Sequence, residues 1–433
     1  MRILLLIILL LFCFSRTGAL AEIHDDEALA WMDCVAESRR NNPDLISAEE
    51  AINQKKAALA VTKSGFYPQI EGSVSGSTTE RETTSSHSGG TTKATSDSYS
   101  IGATLTQLLF DGSSRINDEK AASENIMAAL YNYRFASSEV RLRLRAAFIN
   151  LLKAQESLRL TEEIRKLRRD NLVLITLLYE AGMEHKGALS TAEANLAQAE
   201  YEIIQARREL ETSQAQLIKE MGRSKFSPLK AKGGFNVSDR ARQRPDFEAL
   251  ARDNPSLGKL NAQKKAAAYG VRSAEGSFLP EVSLSAGADR SSSIGWPPID
   301  DKLTAGLSVS FPIFEGKLKQ YELREAAAAL KQAEADEQSE KDSVILALKE
   351  NWTALQDAID AVDVRKKFLE AAQERARIAE AQYSLGLMQF DNWTIIEDSL
   401  VTAKKSFLNA QADALLAEAN WIQAKGETLE YAE

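Results

Sequence analysis

The sequence predicts a mostly α-helical fold with a small β part, in which a strand pair followed by a very long helix occurs twice. One observation is a duplication of short motifs in the same order: Asn42-Pro43 recurs as Asn254-Pro255, Phe66-Tyr67-Pro68 as Phe278-Leu279-Pro280, and Phe110-Asp111-Gly112 as Phe314-Glu315-Gly316. The other is the absence of proline and glycine from residues 113–181 and again from 317–385. Together they predict two similar units that stand side by side.

The chain begins with a predicted secretory signal over residues 1–21. Arg2 gives a positive start, residues 3–14 are apolar, and Ala19-Leu20-Ala21 offers a small-residue cleavage site before Glu22. The apolar stretch is too short to cross the roughly 30 Å hydrocarbon layer of a bilayer. We therefore expect export and cleavage between Ala21 and Glu22, with no lipid attached.

The composition disfavours an enzyme and a nucleic-acid-binding protein. The three histidines lie far apart, and Cys34 is the single cysteine left once the signal is removed. Neither metal binding nor nucleophilic catalysis therefore has a candidate group of residues. The formal net charge of −9 at pH 7 is unfavourable for binding nucleic acid. We predict no cofactor, and we expect Cys34 on an N-terminal helix.

Each run without proline and glycine predicts one helix about 100 Å long. Apolar residues spaced by threes and fours indicate coiled-coil packing: Leu144, Phe148, Leu151, Ala154 and Leu158 in the first run, and Leu348, Trp352, Leu355, Ala358 and Val362 in the second. The runs end at Gly182 and Gly386, as helix C-termini prefer. Further break-free runs follow at 188–221 and 387–425, so each repeat holds a long helix, a tight turn and a returning helix.

Four segments with a period of two precede the long helices, at 70–75, 101–106, 282–289 and 303–311. One face of each is small and polar, which suits a strand with one face toward lipid and one toward water. A soluble hairpin packed on the helices is the alternative. The segments between the strands, 76–99 and the one that carries Trp296-Pro297-Pro298, are predicted loops.

These elements predict five divisions of the chain. They are a signal at 1–21, a first repeat at 22–222, a linker at 223–253, a second repeat at 254–426 and a C-terminal tail at 427–433.

Four strands are too few to close a barrel, and an open edge strand has unpaired backbone groups that lipid cannot satisfy. Two chains would give eight strands, but such a barrel is filled by its own side chains. Three chains would give twelve strands and room for a passage. The strand count therefore predicts a homotrimer with a continuous duct through strands and helices.

The order and duplication of the Asn-Pro, aromatic-x-Pro, Phe-Asp/Glu-Gly and Tyr-x-x-Gly motifs resemble the TolC family of outer-membrane efflux and secretion ducts, over about residues 26–426. The resemblance implies a trimeric twelve-stranded β-barrel in outer-membrane lipid, continued by an α-helical barrel in the periplasm. It also implies a passive exit duct of a tripartite efflux or type I secretion system. Its partners would be a periplasmic adaptor and an inner-membrane pump of the RND or ABC type.

Two other functions remain open from the sequence. A periplasmic structural or adaptor protein would also need long paired helices, although the four strands and the duplication disfavour it. A diffusion porin should consist of strands over its whole length, and this sequence does not.

The two helix turns are the predicted docking site for the adaptor, because they lie farthest from the strands. The candidate residues are Tyr179, Gly182 and Met183 in the first turn, and Tyr383 and Gly386 in the second.

The second turn is also the predicted periplasmic gate, and here the chain departs from the family. The resemblance implies inward-facing aspartates nine and twelve residues after Tyr383, but Asn392 and Ile395 occupy those places. The nearest acid is Asp391, which is either a gate residue or the cap of the returning helix. In the first repeat the partner position is Ala188, which cannot form the family's polar link. We therefore predict closure by apolar contacts, with these candidates: Leu387, Met388, Phe390 and Ile395.

Overall fold

The computed structural model describes residues 28–84, 91–237 and 243–431. The predicted signal, with its cleavage site at Ala21 and Glu22, lies outside these ranges. The helices are α1 (Trp31–Asn41), α2 (Pro43–Ser64), α3 (Ser114–Glu180), α4 (Lys186–Met221), α5 (Phe247–Arg252), α6 (Pro255–Gly276), α7 (Leu318–Ser384) and α8 (Phe390–Ala424). The strands are β1 (Ala28–Ala30), β2 (Gln69–Thr84), β3 (Thr91–Asp111), β4 (Lys230–Lys232), β5 (Glu281–Ser292) and β6 (Asp300–Ser310).

The two long helices form as the break-free runs predict, and α3 and α7 are both 67 residues long. Helix α3 packs along α4 and along α8, and α8 packs along α7. The long helices of one chain therefore form a layer in the order α4-α3-α8-α7. The predicted apolar stripe is its core, since Leu144, Phe148 and Leu151 of α3 and Leu348 and Leu355 of α7 are buried. No helix within the described ranges is long and apolar enough to cross a membrane.

The duplicated Asn-Pro motifs join helices end to end. The Asn42 side chain accepts a hydrogen bond from the Asp44 backbone N–H and so caps α2, while its amide nitrogen donates to the Glu220 carbonyl near the end of α4, at 2.9 Å. Asn254 does the same at the start of α6, where its amide nitrogen donates to the Ala424 carbonyl at 3.1 Å. Each returning helix, α4 or α8, is thus extended by the shorter helix, α2 or α6, that leads to the strand pair of the same repeat.

The strands form one antiparallel sheet in the order β2-β3-β5-β6. In its register Ile70, Leu105, Ala286 and Ala305 stand side by side on one face, and Glu71, Thr104, Gly287 and Thr304 on the other. The predicted alternation therefore produces an apolar face and a polar face. Strands β2 and β6 are the two edges of the sheet, and neither pairs on its outer side within the described chain.

The prediction of a loop over residues 76–99 is wrong, because β2 continues to Thr84 and β3 already begins at Thr91. Serine and threonine are common in loops, but β-branched threonine also fits a strand well. Cross-strand pairs support the extension: Thr78 donates to Asp97, and Lys93 lies 3.4 Å from Glu80. The second loop, around Trp296-Pro297-Pro298, lies between β5 and β6 as predicted.

The predicted linker and tail both carry regular structure. Within 223–253, β4 pairs in parallel with β1, and α5 packs against α7. In the tail a short 3-10 helix, Leu429–Tyr431, places Leu429 in the core beside α3, where Leu429 is 1% exposed. Cys34 is buried in the same core on α1, as expected. These segments therefore pack around the middle of the long helices.

Candidate functional site

The turns at the ends of α3 and α7 have the same backbone geometry. Gly182 and Gly386 adopt φ values of 68° and 74°, in the left-handed region that glycine enters without strain. The backbone N–H groups after them donate back to the carbonyls of Leu178 and Gln382, at 2.9 and 2.8 Å. This is the helix C-cap that the sequence predicts at both glycines. The docking role of the turns stays a prediction.

An aromatic cluster fills the tip of the second hairpin. The rings of Tyr383 and Trp393 stack with centroids 4.4 Å apart and planes 5° apart, and Phe390 packs against both at 6.4 and 6.2 Å. Ile175 of the first hairpin is fully buried against them. The sequence gives no sign of this cluster, because the contacts across the hairpin and to α3 depend on how the helices pair.

The side chain of Phe390 is therefore not free to meet other copies, as the gate prediction requires. Its side chain is buried within one chain, at 6% exposed, whereas Leu387 and Ile395 are exposed and Met388 is half-buried. Asp391 and Asn392 are exposed as well. The gate candidates with free side chains are thus a mixture of apolar and polar residues.

Asp391 does not cap α8, contrary to the simpler of the two interpretations. Gln389 occupies the N-cap position, and no side chain accepts a hydrogen bond there. Asp391 lies in the first turn, where a carboxylate still interacts favourably with the helix dipole. The equivalent cap of α4 is made by His185, whose Nδ1 accepts from the Ala188 N–H at 3.1 Å.

A polar link between the two hairpin tips exists, but through a different residue from the one considered in the sequence. Ala188 is fully buried and makes no such link. Instead the Tyr383 hydroxyl donates to Glu184 Oε1 in the first turn, at 3.0 Å. Burial and then this carboxylate raise the pKa of Tyr383, so the hydroxyl stays a donor. Ala188 thus makes no polar link, as its side chain implies, and Glu184 links the two tips instead.

A second set of polar contacts joins the hairpins farther from the turns. Arg168 of α3 donates to Glu397 of α8 at 3.2 Å and also to Asp398. Asn171 of α3 donates to Glu397 as well. The side chains of Arg168 and Glu397 are only 9% and 8% exposed. We call these four residues the seam network.

Within residues 28–84, 91–237 and 243–431 no three side chains of His, Cys, Asp or Glu converge as metal ligands. The polar contacts of Tyr383 with Glu184 and of Arg168 with Glu397 hold the two hairpins together.

Comparison with known proteins agrees with this architecture. Residues 35–223 and 248–427 match the model of the family described as outer membrane efflux protein. Among curated relatives, the outer membrane efflux protein BepC of Brucella suis is 25% identical, over 90% of this chain and 80% of its own length. The proteases secretion protein PrtF of Dickeya chrysanthemi is 22% identical, over 96% and 90%.

Solved structures share the fold. The open state of the MtrE outer membrane channel of Neisseria gonorrhoeae superposes with a TM-score of 0.79 at 19% identity, covering 92% of this chain and 89% of that one. The CmeC outer membrane channel of Campylobacter jejuni gives a TM-score of 0.78 at 17% identity, with 93% and 87% covered. With both repeats matched by the family model, the chain belongs to the outer membrane efflux protein family.

Proposed function

We propose that the chain is the exit duct of a tripartite efflux or type I secretion system in the bacterial outer membrane. It acts as a passive channel that takes substrates from a periplasmic adaptor and an inner-membrane pump to the cell exterior. The observation that carries this proposal is the four-stranded sheet, which has one apolar face, two open edges and a direct connection to a layer of long helices.

The open edges support assembly into a trimer. Strands β2 and β6 would leave a row of unpaired N–H and C=O groups in lipid, which is very unfavourable. Pairing β6 of one copy with β2 of the next removes both edges. Three copies then give a closed barrel of twelve strands, the smallest multiple of four that leaves a passage.

The helical layer supports the same assembly independently. Its outermost helices, α4 and α7, both expose apolar side chains. Tyr201 on α4 and Phe368 on α7 are 51% and 62% exposed, and they lie about 29 and 27 Å from their turns at 1.5 Å per residue. Ile204 and Val364 are likewise exposed and matched in height, each about 33 Å from its turn. We infer that α4 of one copy packs against α7 of the next.

Exposed aromatic residues support a position for the boundary of the lipid layer, near the ends of the strands. Exposed rings collect where the strands join the helices: Tyr67, Phe110, Phe278, Phe311 and Phe314. Aromatic belts of this kind form at the interface between hydrocarbon and headgroups. Outer-membrane lipid is therefore the partner we assign to the apolar face of the sheet.

A periplasmic adaptor of the membrane-fusion type and an inner-membrane pump of the RND or ABC type complete the proposed system. The docking site for the adaptor is the pair of turns, where Met183 and Leu387 are exposed. One relative is named for efflux and another for secretion of proteases, so the cargo class differs among the proteins that this chain resembles.

The alternative, a periplasmic coiled-coil structural or adaptor protein, gives no role to the apolar face of the sheet. Reconstitution distinguishes the two. We expect outer-membrane recovery, heat-modifiable migration on a detergent gel, and discrete single-channel conductance in a planar bilayer. Recovery in the soluble periplasmic fraction together with no conductance would favour the alternative.

We further propose that the resting duct is closed mainly by the exposed side chains of Leu387 and Ile395, assisted by Met388. Three copies of each would meet near the axis at the periplasmic end. Ile395→Ser should raise the resting conductance, because it removes an apolar contact, while Asp391→Ala should leave conductance and divalent-cation block unchanged. The reverse pattern would assign the gate to the carboxylates of Asp391.

A further inference from the structure

The seam network is a buried polar contact within one chain, between its first and second hairpins. Arg168 and Asn171 come from α3, and Glu397 and Asp398 come from α8. The residues Arg168 and Glu397 are separated by 229 positions in sequence. The neighbouring turn of α8 carries Trp393, which belongs to the apolar aromatic cluster. The network thus lies next to an apolar part of the contact between α3 and α8.

The charges in the network do not balance. The guanidinium of Arg168 is shared between the carboxylates of Glu397 and Asp398. A third carboxylate, Glu380 of α7, also acts on Glu397. One cation is therefore shared by two carboxylates while a third acts from α7, and repulsion among like charges disfavours ionisation of the most buried one. A proton on Glu397 relieves both the repulsion and the cost of burying its charge.

The surroundings of Glu397 raise its pKa on balance. Burial is the largest cause and raises its pKa from 4.5 to about 7. Arg168 and Asn171 act in the opposite direction, and Glu380 and Asp398 add to the rise. A Glu397 side chain returned to water would regain its ordinary pKa. The closed seam therefore binds a proton more tightly than an opened seam does.

We propose that Glu397 is a proton-binding site of the contact between α3 and α8, which holds its proton while the helices are packed and releases it when they separate. Between about pH 4.5 and 7 the packed state carries the proton and the separated state does not. Mild acid accordingly tightens the seam, and a rise in pH toward 8 loosens it. This proton site lies inside one chain and is independent of the transport function and its cargo.

Hydrogen exchange of the intact protein in detergent tests the proposal. Peptides covering residues 165–175 and 390–400 are compared at pH 5.5 and pH 8, after correction for the intrinsic exchange rate. We expect opening of the seam to be on the order of tenfold more frequent at pH 8, as follows from a pKa difference of this size. Glu397→Gln cannot ionise, yet its amide oxygen still accepts from Arg168 and Asn171.

The variant should therefore exchange slowly at both pH values in these peptides. Asp413→Asn is the matched control, because it removes an exposed carboxylate from the same helix, and it should keep the wild-type response. Two outcomes would overturn the proposal. One is a wild-type seam that is tighter at pH 8 than at pH 5.5, which needs no variant to detect. The other is a Glu397→Gln protein with an unchanged pH response.

Discussion

Helix α4 stacks end to end on α2, and α8 on α6. At each of these two junctions a single glycine allows the two backbones to approach closely. Gly222 and Gly426 both adopt φ of 77°. Gly222 faces the Asn-Pro segment that starts α2, and Gly426 faces the one that starts α6. A Cβ at Gly222 would lie 2.3 Å from the Asn41 carbonyl oxygen, and one at Gly426 would lie 2.3 Å from Pro255 Cδ. Glycine follows Met221 in the first repeat and Lys425 at the matching place of the second, and it thus has a steric as well as a conformational reason.

Gly222→Ala and Gly182→Ala separate these two reasons. Gly182 has a similar φ but nothing within 4 Å of a Cβ, so alanine there should cost only about 1 kcal/mol of unfolding free energy, for the left-handed backbone. Alanine at Gly222 adds a clash and should cost about 1–3 kcal/mol more. Thermal unfolding in detergent, followed by tryptophan fluorescence, ranks the two variants. Equal shifts in Tm would show that the close approach is unimportant.

At the scale of single elements, the long helices were predictable and their pairing was not. The absence of proline and glycine over residues 113–181 suffices to predict α3, because nothing in that run interrupts a helix. The ends of β2 and β3 were missed, because threonine and serine are equally common in loops and in polar strands. The contacts of Tyr383 with Glu184 and of Arg168 with Glu397 arise only when two hairpins from different repeats pack together. Sequence spacing carries no signal for them.

The turn of each hairpin carries a prediction about docking. Met183 and Leu387 are 68% and 74% exposed, and neither is part of the buried aromatic cluster. Met183→Glu should therefore leave folding intact while weakening an apolar contact with the adaptor. Leu387 is left unchanged, because it is also a proposed gate residue. Export should fall at least about tenfold, the equivalent of about 1.4 kcal/mol of binding.

Two measurements are needed for that prediction, export by cells and the amount of the duct in the outer membrane. Changing Gly386 instead would confuse the result, because its φ of 74° makes any side chain there strained. Normal export by Met183→Glu, at a normal amount of duct, would exclude the first turn as the docking site.

At the scale of the whole molecule, both the sheet and the helical layer end in uncovered edges. The sheet ends at β2 and β6, and the helical layer ends at α4 and α7. Three copies of the chain around one axis would cover the edges of the sheet and the edges of the helical layer at once. The strand count, which sequence alone provides, predicts three copies. The matched apolar heights, which need the structure, support a contact between neighbouring copies.

Phe368→Asp tests this assembly through the helices. A carboxylate at the proposed contact with Tyr201 of the next copy should shift the protein from trimers toward monomers in native mass spectrometry. Val173→Asp is the control, because Val173 is comparably exposed, at 56%, on α3, which is not an outer helix of the layer. A trimer that survives Phe368→Asp and Tyr201→Asp alike would place the contact elsewhere.

The unequal hairpins have a consequence for the outer mouth of such a ring. Strands β3 and β5 pair only as far as Tyr99 and Ser292, so the rest of the first hairpin rises by itself, over residues 76–84 and 91–98. At about 3.3 Å per residue it stands roughly 28 Å above its neighbour. A threefold ring would carry three tall posts separated by three low gaps. A large particle that settled on the posts would leave the gaps open, and cargo could still escape sideways beneath it.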